Sequence, residues 1–249
     1  MSTGWRQCLR RWHPEGIPWP FAILYNAISR SRVFVEHYRL VADDVGHYYR
    51  SGRVLDIGTG PGWLLLALRR SLPEADLVGV DISAAMVSLA NGNLTRAGCA
   101  GGVEVTQAGA DALPFPDESI DVVVSTGSLH HWKNPVAGLN EVHRVLKPGR
   151  WALLYDLVSK VPPAVIRGAR AEFGRVRSSL LWLHSFEEPF YSPEEMAALA
   201  PATHFGRGET RFVGVLCCLT LQKGSVLSTP GQGGPRQQGT PPDAAPPLR

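Results

Sequence analysis

Short apolar runs and amphipathic segments alternate through the middle of this chain. The runs are rich in Val, Ile and Leu and have the length of strands, at positions 52–57, 76–80, 103–107, 120–125 and 151–156. Apolar residues recur at helical spacing in segments between them, at positions 64–72, 84–96 and 135–146. Such alternation is typical of a doubly wound α/β sheet, whose right-handed crossovers place a ligand at the carboxyl ends of the strands.

Cap and turn residues mark several boundaries within this unit. Ser83 is a suitable N-cap for the helix that follows it, and Gly98 is a suitable stop. Pro148 and Gly149 predict a turn that leads into the strand at 151–156.

The flanks of the alternating unit follow other patterns. Positions 21–49 carry apolar residues at broadly helical spacing and predict two helices before the sheet. Positions 158–191 are long, mildly basic and scattered with aromatic residues, which predicts a helical insertion over the cleft. A capping box beginning at Ser192 predicts a helix to about residue 199. Phe205 and positions 212–221 predict a short and a longer strand that pair antiparallel.

Composition changes abruptly at residue 224. Gly, Pro, Ser and Gln dominate from there onward, with almost nothing to bury, so positions 224–249 predict a disordered tail. We therefore predict an N-terminal helical cover at 1–49 and one α/β domain at 50–223.

Length, charge and cysteine usage exclude several classes of protein. The 249 residues are 44% hydrophobic, enough for one substantial core, and a net charge of +3 without a basic block argues against nucleic-acid binding. No apolar run approaches the roughly 20 residues of a membrane span, so we expect no stable membrane insertion. The four cysteines have no metal-ligand spacing, so we predict no metal site and expect reduced thiols in a cytoplasmic protein, at Cys8, Cys99, Cys217 and Cys218.

The candidate chemistry concentrates in the loop Gly58 to Gly62 after the first strand. Its three glycines at alternate positions let the backbone turn sharply and approach a ligand closely, and the next helix points free amides at that ligand. The dinucleotide fingerprint GxGxxG would require glycine where this chain has Trp63. Asp56 at the strand end would repel a diphosphate, so the loop favours a ligand that carries an ammonium group.

A second carboxylate, Asp81, ends the second strand. In this position it can accept two hydrogen bonds from a ribose diol, although Asp81 could also be a turn residue before Ser83. Ile82 and Met86 could pack on an adenine face, or they could belong to the core.

Four stretches occur in a characteristic order and spacing: Val54 to Gly62, Val78 to Ser83, Ala112 to Ser125 and Leu146 to Gly149. Together they resemble the class I S-adenosylmethionine-dependent methyltransferases, in particular the small-molecule group that includes the ubiquinone and menaquinone C-methyltransferases. The resemblance covers about residues 50 to 156. It implies a Rossmann-like sheet of seven strands in the order 3-2-1-4-5-7-6, with strand 7 antiparallel.

The resemblance also implies S-adenosylmethionine as cofactor and a set of binding residues. The set comprises Asp56, Gly58, Thr59, Gly60, Gly62, Asp81, Ile82, Met86, Ala110, Asp111, Ser125 and Thr126. One position departs from the family, because the acid that contacts the adenine amino group falls on Gly109, whereas this chain has Asp111 two residues later. The backbone amide of Ala110 is the alternative contact.

The stretch Ser128 to Trp132 resembles a common family sequence and contains His130 and His131. These two are the catalytic candidates on the cofactor side, and His131 could line the methyl-transfer pocket. A structural histidine is the alternative, since the sequence identifies no carboxylate partner for either. The covering segments contribute three further candidates for a general base, namely Tyr25, His184 and Tyr191.

The function implied is methyl transfer to a small-molecule acceptor by in-line displacement. The first alternative is a non-catalytic partner or regulatory subunit that keeps the cofactor-binding fold. The second, NAD-dependent oxidoreduction, conflicts with Trp63 in the glycine loop.

Overall fold

A computed structural model describes residues 19–99, 101–174 and 191–225 of the chain. The predictions for the first 18 positions, for positions 175–190 of the insertion and for the tail beyond 225 lie outside the described residues. The candidate His184 and the cysteine Cys8 lie outside them as well.

One seven-stranded sheet organises the molecule, in the order β3-β2-β1-β4-β5-β7-β6. Strands β1 to β5 are mutually parallel, and β7 runs antiparallel to both β5 and β6. This confirms the predicted fold class. The strands are β1 Arg53–Ile57, β2 Asp76–Asp81, β3 Val103–Gln107, β4 Ile120–Thr126, β5 Leu146–Asp156, β6 Glu209–Val213 and β7 Leu216–Gln222.

The central strands are buried on both faces because helices cover both. Successive side chains of a strand point to opposite faces. In β4, Val123 belongs to one hydrophobic cluster, whereas Val122 and Val124 belong to the other. An all-apolar run such as this is therefore the expected sequence for a strand between two helical layers.

The helices occur where the periodicity predicts them. They are α1 Trp19–Ile28, α2 Arg32–Tyr48, α3 Trp63–Ser71, α4 Ala84–Arg96, α5 Pro135–Val145, α6 Pro163–Phe173 and α7 Pro193–Ala197. Ser83 caps α4 by accepting a hydrogen bond from the amide of Met86. Ser192 and Glu195 form both bonds of the predicted capping box, but α7 ends at Ala197 and a 3-10 turn follows.

Three local predictions are wrong. The residues around Pro148 and Gly149 belong to β5, where a bulge places positions 147–150 between the pairs Ile120 with Leu146 and Val122 with Trp151. Gly149 has a φ of 75°, so the chain does bend there, but within a strand.

Phe205 lies in a turn rather than in a strand. It is buried all the same, because its ring packs against the hydrophobic cluster that contains Tyr191. The predicted long strand at 212–221 is divided by a turn at Gly214 into the ends of β6 and β7. Burial without regular structure explains why an apolar residue here suggested a strand.

The described part of the chain contains no helix with the length and apolar character that a bilayer crossing requires.

Candidate functional site

The glycine loop joins β1 to α3 at the carboxyl edge of the sheet. The amides of Gly58 and Thr59 both donate to the carbonyl of Val80, at 2.8 and 3.0 Å, which fixes the loop against the end of β2. Gly58, Gly60 and Gly62 have φ values of 72°, 52° and 81°. These are left-handed backbone conformations that residues other than glycine seldom adopt.

Asp56 is the penultimate residue of β1, next to this loop, and is completely buried. Its Oδ2 atom accepts a hydrogen bond of 2.7 Å from the hydroxyl of Thr59. Its Oδ1 atom is buried and has no hydrogen-bond partner among the residues that the structure describes. Burial, with a smaller contribution from the nearby charge of Asp81, raises the pKa of Asp56 to about 7, and the hydrogen bond from the Thr59 hydroxyl opposes this shift. A buried acceptor of this kind suits a cationic donor.

Asp81 lies at the equivalent end of β2 and is held by two backbone donors. The amide of Gly60 donates to Oδ2 at 2.8 Å and the amide of Ser83 donates to Oδ1 at 2.9 Å. Burial raises the pKa of Asp81, and these two hydrogen bonds partly oppose that shift. Each carboxylate oxygen keeps a further lone pair, which can accept from a diol.

The candidate adenine side is formed by Ile82 and the loop after β3. Ile82 is an exposed large apolar side chain, 39% accessible, whereas Met86 is only 2% accessible and offers almost no surface to a ligand. A side chain built at Gly109 would place its Cβ 2.8 Å from Oδ1 of Asp111 and 3.8 Å from Cδ1 of Ile82. The Asp111 carboxylate therefore occupies the space beside Gly109, where the family pattern has its acid.

The residues that hold the loop after β3 were not identified from the sequence. Glu141 on α5 accepts a hydrogen bond of 3.0 Å from the amide of Leu113. Arg144, one turn later, donates to the carbonyls of Leu113 and Phe115 at 3.0 and 2.8 Å, and also binds Glu141. The signal was an acid and an arginine at helical spacing on the inner side of α5.

Beyond β4, Ser128 connects the next turn to the glycine loop. Its hydroxyl contacts the Ser125 hydroxyl at 2.7 Å, donates to the carbonyl of Ile57 at 3.1 Å and accepts from the indole of Trp132 at 3.2 Å. Ser125 is buried and Thr126 is half-buried. The described contact of the Ser125 side chain is thus with the Ser128 hydroxyl.

His130 and His131 lie in a 3-10 turn, Leu129–His131, directly after Ser128. The structure supplies the carboxylate partner that the sequence did not identify. Nδ1 of His130 lies 2.9 Å from both carboxylate oxygens of Asp156, and both side chains are buried. Asp156 ends β5, the neighbour of β4, so the adjacency of the two strands was the available signal. The rings of His130 and His131 lie 4.0 Å apart.

Helices α1 and α2 bring two tyrosines to this edge of the sheet. The pKa of Tyr25 is raised to about 12 by burial and by the charges of Asp81 and Asp156. The pKa of Tyr38 is raised well above its usual range by burial and by the proximity of Tyr25 and Asp56. Both hydroxyls therefore remain protonated near neutral pH and can donate hydrogen bonds but do not act as bases.

Asn26 fastens α1 over the glycine loop. Its Oδ1 atom accepts hydrogen bonds of 3.1 Å from the Trp63 indole on α3 and from the Asn93 amide on α4. The same amide of Asn93 donates to the carbonyl of Pro61 at 2.8 Å. The predicted covering candidate Tyr191 belongs instead to the hydrophobic core, at 4% exposure.

Comparison with known proteins points to one kind of enzyme. A family model described as a methyltransferase domain matches residues 55–154. A ubiquinone/menaquinone biosynthesis C-methyltransferase of Geobacter sulfurreducens is 32% identical over 170 residues, which are 62% of this chain and 64% of that protein. The match thus covers less than two thirds of that relative.

Two further proteins are similar over more of their own length. A demethylmenaquinone methyltransferase of Thermus thermophilus is 33% identical over 168 residues, which are 61% of this chain and 74% of that protein. The crystal structure of an S-adenosylmethionine-dependent methyltransferase from Aquifex aeolicus superposes with a TM-score of 0.58 at 19% identity, covering 83% of this chain and 98% of that one. At that identity the likeness concerns the fold alone.

Proposed function

Because this chain belongs to the S-adenosylmethionine-dependent methyltransferase family, we propose that it transfers a methyl group from S-adenosylmethionine to a small-molecule acceptor. When bound, the cofactor supplies a strongly electrophilic methyl carbon on a sulfonium, which an acceptor attacks in line with the leaving sulfur. The protein's part is then to align the two reactants and to exclude water.

The buried oxygen of Asp56 is the observation that carries this proposal. Oδ1 of Asp56 lacks a hydrogen-bond partner among the described residues, and the ammonium group of the cofactor would supply one. The glycine loop leaves room for the backbone to approach the cofactor, with Thr59 orienting the Asp56 carboxylate. Asp81 would receive the ribose diol through its remaining lone pairs.

We expect Asp81→Ala to weaken cofactor binding by about 1–3 kcal/mol, because two charge-assisted hydrogen bonds to the ribose are lost. Isothermal calorimetry with S-adenosylhomocysteine measures the change. Asp76→Ala is the matched control, since Asp76 begins the same strand and forms an exposed ion pair with Arg53. Equal affinity of the two variants would remove Asp81 from the ribose site.

We further propose that Asp111 replaces the family's acid and accepts a hydrogen bond from the adenine amino group, with Ile82 against the adenine face. The carboxylate lies in the space beside Gly109, next to the exposed Ile82 side chain. The amide of Ala110 in the same loop remains a further candidate contact. The assignment involves only the adenine amino group, so a ligand that lacks this group tests it.

Wild-type protein should bind S-adenosylhomocysteine about tenfold more tightly than its inosine analogue, in which a carbonyl replaces the amino group. Asp111→Ala should reduce this preference to near unity, because the acceptor for the amino group is gone. Competition calorimetry with both nucleosides measures the preference. Glu104→Ala on the exposed side of β3 should leave it intact. A preference that survives in Asp111→Ala would assign the amino group to the backbone at Ala110.

For the acceptor we propose an aromatic hydroquinone methylated at carbon, since two relatives carry names from quinone biosynthesis. The test uses a naphthohydroquinone with one prenyl group, S-adenosylmethionine with a deuterated methyl group, and mass spectrometry of the product. Transfer of one deuterated methyl group to a ring carbon supports the proposal. Absence of transfer together with normal cofactor binding would contradict this acceptor class.

In the non-catalytic alternative, the protein would keep the cofactor-binding fold but would not transfer methyl groups. The presence of Asp56, Asp81 and all three loop glycines supports a catalytic protein. The free thiols of Cys99, Cys217 and Cys218 fit the reducing conditions of the cytoplasm, where we propose that the protein works.

A further inference from the structure

A buried histidine and a buried carboxylate are hydrogen-bonded to each other at the carboxyl edge of the sheet. The backbone amide of His130 donates to Oδ2 of Asp156 at 3.1 Å, and the ring Nδ1 lies 2.9 Å from both oxygens of the same carboxylate. The amide of Leu157 holds Oδ1 of Asp156 at 2.8 Å. The carboxylate is thus fixed by its own strand end, and it fixes the imidazole in turn.

This contact determines which nitrogen of His130 can accept a proton. A carboxylate only accepts hydrogen bonds, so Nδ1 carries the hydrogen and Nε2 is the basic atom of the neutral ring. Asp156 also stabilises the cation that forms when Nε2 takes up a proton. A buried base with an oriented ring and a counter-charge is the arrangement that general-base catalysis requires.

The pair lies beside the candidate cofactor site. Asp156 ends its strand at the same edge of the sheet as Asp56 and Asp81. The charges of both Asp81 and Asp156 act on the hydroxyl of Tyr25, which places that hydroxyl near the two carboxylates. The turn that carries His130 begins at Ser128, whose hydroxyl is bonded to the carbonyl of Ile57 just before the glycine loop.

Other titratable groups near Asp156 are unsuited to the role. Burial and the charge of Asp156 raise the pKa of Tyr25 to about 12 and that of Cys217 to about 11, so both stay protonated. The His131 ring is tilted by 42° to the His130 ring, with the centroids 4.0 Å apart, and the Asp156 carboxylate is hydrogen-bonded to the His130 ring. Imidazole is the side chain that ordinarily exchanges protons near neutral pH, and the Asp156 carboxylate orients the His130 ring for this role.

We propose that His130 is the general base of the reaction, that Asp156 is its positioning residue, and that the acceptor is therefore a phenol or hydroquinone that loses its hydroxyl proton as it is methylated. This inference rests on the proposed methyl transfer. It agrees with the proposed hydroquinone acceptor, whose hydroxyl group loses a proton during attack, whereas a thiolate acceptor has no proton for a base to remove.

Methyl transfer to the ring carbon breaks the O–H bond of the acceptor and the carbon–sulfur bond of the donor. The acceptor hydroxyl proton passes to Nε2 of His130, the O–H electron pair forms a carbonyl, and a ring electron pair forms the bond to the methyl carbon. The pair of the broken carbon–sulfur bond stays on sulfur. Loss of the ring proton to solvent and return of the His130 proton to the carbonyl oxygen restore the aromatic hydroxyl. One proton is released in total.

The kinetic test compares His130→Gln, Asp156→Asn and the control His47→Gln with wild type, on the prenylated naphthohydroquinone. We expect kcat to fall about 100- to 10,000-fold in His130→Gln and at least about tenfold in Asp156→Asn, with KM within a few-fold. His47 is exposed in the last turn of α2, so His47→Gln should stay within a few-fold of wild type. Calorimetry with S-adenosylhomocysteine should give nearly unchanged affinity in all three, which also verifies that each variant folds.

A second measurement needs no methyl transfer. Wild-type protein with S-adenosylhomocysteine should bind 4-nitrophenol as the coloured phenolate at a pH where the free compound is largely protonated, since His130 takes the proton. His130→Gln should bind it as the colourless phenol. If the wild-type complex stays colourless, the general-base assignment is overturned even where a variant fails to fold.

The outcomes separate this inference from the function on which it rests. Failure to bind the cofactor would overturn the proposed methyltransferase activity. If His130→Gln turned over as fast as an active wild-type protein, the general-base assignment of His130 would be overturned, and the proposed methyltransferase activity would stand. Full activity of Asp156→Asn beside an inactive His130→Gln would overturn the positioning role alone.

Discussion

Asp56→Asn should weaken the binding of S-adenosylmethionine by about 2–4 kcal/mol and should not destabilise the cofactor-free protein. The affinity falls because the amide carries no charge for the ammonium group and the full charge-assisted hydrogen bond is lost. Stability moves the other way because the native carboxylate is completely buried and has an oxygen without a partner among the described residues. The side chain is thus unfavourable for the fold and favourable for the ligand.

The pH dependence of stability follows from the same carboxylate. Its pKa in the folded protein is about 7, above the ordinary value of about 3.9 for an aspartic acid, because burial disfavours the charged form. Between these two values the folded state binds more protons than the unfolded state, so the free energy of unfolding falls as pH rises through that window. Asp56→Asn removes this contribution, and its gain over wild type should grow from pH 4 to pH 7 and then level off.

Urea unfolding at several pH values measures this gain, and calorimetry measures the affinity. Asp121→Asn is the matched control, because Asp121 is equally buried but has partners: Lys147 at 2.7 Å, Arg150 at 3.4 Å and the amide of Arg53 at 3.0 Å. Removing one charge from that cluster should destabilise the protein. The proposal for Asp56 would be contradicted if both variants lost stability to the same extent.

The sheet could be predicted from the sequence because its strands depend on local patterns. An all-apolar run such as the one around Val123 fits few structures other than a strand buried on both faces when such runs alternate with helices along the chain. The bulge at Gly149 could not be predicted, since it depends on how β5 pairs with β4. Phe205 was assigned to a strand because burial alone does not distinguish a strand from a buried turn.

The candidate site was predictable where its residues are close in sequence. Asp56 and the glycine loop form one continuous motif, and Asp81 follows at the end of the next strand. Asp156 was missed, because its contact with His130 joins the ends of two strands that are adjacent only in the folded sheet. Thr59 belongs to the loop motif but acts on Asp56, a role that only side-chain geometry reveals.

Gly58→Ala should destabilise the protein by about 2–5 kcal/mol, the largest loss expected from any single methyl group in the loop. The φ of 72° costs about 1–2 kcal/mol for a residue with a Cβ atom. The new Cβ would also lie 2.4 Å from both Cβ and Oγ of Ser128, and such overpacking costs about 1–3 kcal/mol more. Because Ser128 precedes the turn that carries His130, relief of this clash should displace the histidine as well.

Gly127→Ala isolates the backbone part of that effect. Gly127 also has a positive φ, 62°, but a Cβ built there meets no atom of the described residues within 4 Å. The stability lost in Gly127→Ala should therefore stay near the roughly 1–2 kcal/mol that the backbone conformation alone costs. Chemical denaturation of both variants measures the difference, which reports the contact with Ser128. Equal losses of stability in the two variants would show that the turn containing Ser128 relieves the clash at no cost. The absence of a side chain at Gly58 would then not be needed to fix the position of His130.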